Sequence, residues 1–76
     1  MVKVYLKITK KGLLAYDMET DLFVAEVTEL VPVRYQDTDG FIEYNHHSPT
    51  NYKFVSYDNA RVRKVVGNFF ECEIKI

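Results

Sequence analysis

The sequence holds no tryptophan, one cysteine, three glycines and two prolines. It also contains no apolar run that approaches the length needed to cross a membrane. Each scarcity removes a class of function. A lone Cys72 cannot form an intramolecular disulfide, and it lies in an apolar alternation where a free thiol behaves as a small hydrophobe. Three glycines leave no phosphate-cradling loop, and no Gly-x-Ser-x-Gly elbow accompanies Ser48 beside His47. No Asn-x-Ser/Thr acceptor occurs, and the chain runs from Met1 straight into a strand pattern without a signal-like segment. These absences predict a cytoplasmic protein in a reducing compartment, with no membrane partner.

What is present fits one small domain, residues 1–76. A chain of this size buries only roughly 60% of its unfolded surface. Here 47% of residues are apolar, with six Tyr and five Phe among the aromatics, so a core is attainable without a metal or disulfide. Net charge is −1, unevenly placed. Residues 1–16 carry four lysines and no acid; residues 17–43 carry eight acids against Arg34 alone. The chain is therefore bipolar if these stretches fold onto different faces.

Strand periodicity dominates. In residues 2–9, Val2, Val4, Leu6 and Ile8 alternate with Lys3, Tyr5, Lys7 and Thr9. Residues 60–76 read as a terminal β-hairpin, Phe70, Cys72, Ile74 and Ile76 forming its dry face. A loop of Gly67, Asn68 and Phe69 would set Val66 against Phe70, Val62 against Ile74 and Arg63 against Glu73, leaving Lys64 as a misfit opposite Cys72. Residues 13–27 read as a hairpin with a polar tip. The rival over 17–30 is a helix capped by Asp17 or Thr20; Val24, Val27, Thr28 and Val31 favour strand. Asp39-Gly40 reads as a type I′ turn pairing Tyr35 with Tyr44, and Pro32 confines the run of Val31, Val33 and Tyr35 to an edge, a strand start or a bulge. Residues 45–51 read as a loop, and residues 52–57 as a further strand. The expectation is an all-β fold (α+β if 17–30 is helical): a bent antiparallel sheet or SH3/OB-like barrel of five to seven short strands, in which strands 2–9 and 70–76 could pair.

Candidate chemistry is sparse. Asp37, Asp39, Glu43, His46 and His47 lie close in sequence, and Asp-x-Asp-Gly echoes a calcium loop, but the later ligand positions are not filled. A zinc site lacks thiols beyond Cys72. No metal, cofactor or catalytic residue is expected, and the chain is not expected to be an enzyme. Two binding surfaces stand out. Tyr35, Asp37, Asp39, Phe41, Glu43 and Tyr44 combine acid with aromatic anchors suited to a protein partner. Lys3, Tyr5, Lys7, Arg61 and Arg63 combine cations with an aromatic, as single-stranded nucleic-acid barrels do, although the sequence pI is about 6.1. The leading expectation is a protein-interaction module, an inhibitor or adaptor of the size and composition of bacteriophage accessory proteins, using an acidic-aromatic face or a strand edge. Nucleic-acid binding is the alternative, and homodimerisation through an open edge a third.

Overall fold

The computed structural model describes residues 1–44 and 51–76. Among these described residues, eight strands form one antiparallel sheet: β1 (Val2–Thr9), β2 (Gly12–Asp17), β3 (Phe23–Glu26), β4 (Val33–Tyr35), β5 (Thr38–Tyr44), β6 (Tyr52–Ser56), β7 (Val62–Val65) and β8 (Phe70–Ile74). The fold is all-β, with one strand more than the expected range. The strand order is β3-β2-β1-β8-β4-β5-β6-β7, and no ladder among the described residues closes it into a barrel. No helix among the described residues is long and apolar enough to cross a membrane. The expected loop over 45–51, with His46, His47 and Ser48, lies outside the described residues apart from Asn51.

The order shows two meanders, β1–β3 and β4–β7, joined only through β8. The expected pairing of the terminal strands is present: β8 pairs β1, with Val4 opposite Cys72 and Leu6 opposite Phe70. On its other side β8 pairs β4, with Val33 opposite Ile74. The terminal hairpin is absent. β7 pairs β6, setting Val65 against Tyr52 and Lys64 against Lys53, so the expected contacts of Val62, Val66, Arg63 and Lys64 with β8 do not form. Gly67 supplies a left-handed turn (φ 54°), but the turn links strands that are not neighbours. Alternation identified both strands; it carried no information on which strand each would choose.

That link bends the sheet. β7 and β8 are four places apart in the order, about 19 Å in a flat sheet. The turn closed by Phe69 N–H donating to the Val66 carbonyl limits the link from Val65 to Phe70 to about 15 Å. The sheet must therefore curl, and the face that curls inward becomes the core. Leu6, Leu13, Ile42, Phe54, Val65 and Ile74 are buried there. Tyr35 packs across it, 4.6 Å from the Phe70 ring and 5.5 Å from Phe54. The radius of gyration is 11.2 Å. A compact chain of this length has about 11 Å, so the curled sheet encloses a core without a helical layer.

Turns decide the remaining differences. The helix expected as an alternative over 17–30 does not form. Asp17 Oδ1 accepts from the N–H groups of Glu19 (2.8 Å) and Thr20 (3.1 Å), the behaviour of a cap. Asp21 then adopts φ 62°, which ends the coil after a single turn and leads into β3. The type I′ turn sits on Gln36 and Asp37 (φ 49° and 61°) rather than on Asp39-Gly40. Tyr35 consequently pairs with Thr38, and Tyr44 with Tyr52. Gly40 serves a different purpose: a Cβ there would strike the Val55 carbonyl and come within 2.8 Å of the Phe54 ring. Its missing side chain lets β5 and β6 approach over the core.

The β6–β7 turn is pinned by side chains. Ser56 Oγ donates to Asp58 Oδ1 (2.6 Å) and accepts from Arg61 N–H (3.0 Å), while Asp58 Oδ1 accepts from Ala60 N–H (2.9 Å). The Ser56 hydroxyl, followed by the Ala60 amide, holds the Asp58 carboxyl below the ordinary carboxylate range.

Gly40→Ala should lower the unfolding free energy by about 2 kcal/mol or more in urea titrations, because overpacking meets backbone. Gly67→Ala, at open space with positive φ, should cost about 1 kcal/mol. For Asp58, folding favours the charged form, so its contribution is complete above the unfolded value near pH 4 and fades as pH falls through the lowered folded value. Asp58→Ala should therefore melt below wild type at pH 7, with the difference narrowing as pH falls below the unfolded value.

Candidate interaction surface

The side of the sheet turned away from the core presents an aromatic row on β1–β3. Tyr5 pairs with Tyr16, and Tyr16 with Phe23. The Tyr5 and Tyr16 rings stack at 5.5 Å and 17°, and Phe23 meets Tyr16 edge-on at 6.0 Å. Lys7 Nζ lies 5.8 Å from the Tyr16 centroid. Tyr5 donates its hydroxyl to Asp21, tying the row to the β2–β3 turn. Phe23 is 57% exposed and Leu22 67%.

A register shift creates this row. Ala15 pairs with Ala25 but Tyr16 with Phe23, so Val24 is an extra residue. Without that bulge Phe23 and Ala25 would share a face; with it Ala25 turns to the core and Phe23 outward. The signal for Tyr16 was in the sequence, since Leu13 and Ala15 alternate with Leu14 and Tyr16. Phe23 gave none, because Leu22 to Val27 has no clean period.

Charges on this outer side alternate across the strands. Lys3 faces Glu73, Glu73 faces Arg34, and Arg34 faces Asp39, with Arg34 Nε 3.0 Å from Asp39 Oδ1. Asp39 accordingly raises the Arg34 pKa above its ordinary value. A groove of about 350 Å³ near Lys3, Arg34, Glu71 and Glu73 is lined by both signs. Such a row holds little net potential.

The structure divides the acidic-aromatic set. Tyr35 and Tyr44 turn toward the core, Tyr44 packing at 5.1 Å on Tyr52. Asp39, Phe41 and Glu43 lie on the outer side of β5; Asp39 is bridged to Arg34, and Glu43 sits opposite Lys53. Asp37 is in the turn. The basic set is divided too. Lys3, Tyr5 and Lys7 share the aromatic face, whereas Arg61 and Arg63 belong to β7 and the turn before it, at the end of the strand order. Arg61 donates to Thr38 Oγ1 (3.2 Å), and Arg63 lines a groove with Tyr35, Phe70 and Glu71.

Cys72 is buried, and burial first, then Glu73, pushes its thiol up to about 12. The thiolate is absent at neutral pH. Among the described residues no group of three His, Cys, Asp or Glu side chains converges as metal ligands would. His46 and His47 lie outside the described residues.

Comparison with protein-family models, curated proteins and solved structures found no match.

One consequence is directly measurable. Native protein at pH 8 should react with a disulfide reagent at least a hundredfold more slowly than the guanidinium-unfolded chain, because Cys72 is both buried and protonated. Equal rates would place the thiol at the surface.

Proposed function

We propose that this chain is a non-enzymatic protein-interaction module, an adaptor or inhibitor, that docks through the outer face of β1–β3. The observation that carries this reading is the contacting row of Tyr5, Tyr16 and Phe23, held on neighbouring strands with Phe23 and Leu22 open to solvent. Rigid aromatic area beside exposed apolar side chains is the composition of interface hot spots. The balanced charges around it favour a protein over a polyanion. A second reading has its own support: two tyrosines stacked on a sheet, with Lys7 over one ring and Lys3 on the same strand, could receive the bases of a single strand.

The test compares wild type with a Leu22→Ser/Phe23→Ser variant as immobilised bait in lysate of the source cell. The variant should keep the wild-type circular dichroism spectrum, yet lose a specific partner by about 30-fold, the size of a hot-spot truncation near 2 kcal/mol. A partner retained equally by both baits would remove this face from the function. In parallel, anisotropy of labelled single-stranded RNA and DNA at 50 and 200 mM salt should stay flat; binding that collapses with salt would establish the second reading instead.

A further inference from the structure

The last strand of the order, β7, has a partner on one side only. It pairs β6, and no other strand bonds it among the described residues. Ser56 N–H donates to the Arg61 carbonyl, so Arg61 and Ser56 form a hydrogen-bonded pair. By the alternation of an antiparallel ladder, Arg63 and Val65 also turn their backbone groups toward β6, while Val62 and Lys64 turn theirs to the open side; at Val66, just past the strand, only the N–H is open, since the carbonyl accepts from Phe69 N–H. Val62 and Val66 are 58% and 57% exposed, and Arg63 and Lys64 are also exposed, with no acidic side chain in salt-bridge reach among the described residues.

The rows crossing this end of the sheet state what should come next. On the outer side, Phe41, Val55 and Val62 form an apolar row, continued by the exposed Tyr57, whose ring lies 5.9 Å from that of Phe41. The adjacent row runs Glu43, Lys53, Lys64 and ends on two cations. On the inner side, Arg63 ends its row. A second copy docked β7 to β7 would bring like charges together, which is how basic edges repel themselves.

We infer that the open edge of β7 receives an extended acidic segment of a partner protein by antiparallel strand addition. An apolar side chain lies opposite Val62, and acids lie opposite Arg63 and Lys64. Backbone bonds to Val62, Lys64 and Val66 supply the affinity, and the two cations select the partner. This surface is separate from the aromatic face of β1–β3 and stands without it.

The test uses a capped peptide, Thr-Val-Glu-Glu-Val-Thr, titrated into isotope-labelled full chain. Expected are amide shifts centred on Val62, Lys64 and Val66, slowed hydrogen exchange at those three amides, and a Kd of ~1 mM or tighter that weakens with salt. Lys64→Pro removes an outward N–H without touching a β6 bond and should weaken binding at least tenfold. Should that variant fold poorly, Arg63→Glu/Lys64→Glu serves: it should reject the acidic peptide and accept Thr-Val-Lys-Lys-Val-Thr. Shifts confined to Tyr16 and Phe23, unchanged binding by a folded Lys64→Pro, or a concentration-dependent dimer abolished by the same substitution would each overturn the assignment. A failure of the aromatic-face reading alone would leave these shifts in place.

Discussion

A sheet with no helix beside it must cover its own apolar side. Here that requirement is met through curvature enforced by a short link. The turn at Gly67 and Asn68 allows about 15 Å between strands that a flat sheet would hold about 19 Å apart. Everything else conforms to that curl. Tyr35 can touch Phe54 and Phe70 because the strands bearing them are brought round one interior. Gly40 is required because β5 and β6 come close where the interior is most crowded. Ser56, the one buried polar residue among the described residues, is satisfied by the turn that sends β7 back beside β6.

The elements were largely legible and their partners largely were not. Alternation in residues 2–9 located β1, and alternation in 70–74 located β8, because half-buried strands advertise their period. The adjacency of these two strands was also anticipated. The hairpin between β7 and β8 was not there to be found: both runs alternate, a glycine turn lies between them, and local information favours pairing. A nonlocal constraint prevails, since β8 has an apolar set that matches Val4 and Leu6 on one side and Val33 on the other. Likewise Asp39-Gly40 is the stronger turn dipeptide, yet Gln36 and Asp37 take the left-handed conformation because Gly40 is needed against Phe54. Local preference lost twice to packing.

The surface was harder to foresee for the same reason. Lys3, Tyr5 and Lys7 were visible as one face of a strand, but the residues that complete their surroundings come from a neighbouring strand and a bulge. Arg61 and Arg63 share the sign of those lysines and nothing of their location. The acidic middle of the chain disperses: Asp17 and Asp21 organise a turn, Asp39 is bridged to Arg34, and Glu43 lies opposite Lys53 in the ladder. Charge segregated along the chain becomes charge interleaved in space.

The position of β8 also bears on how the protein is made. Each meander is built from neighbours in sequence and can assemble as it emerges during synthesis. Neither has a finished interior until the final strand slots between β1 and β4. Folding of the whole is thus a late, nonlocal event, with the high contact order that slows β proteins.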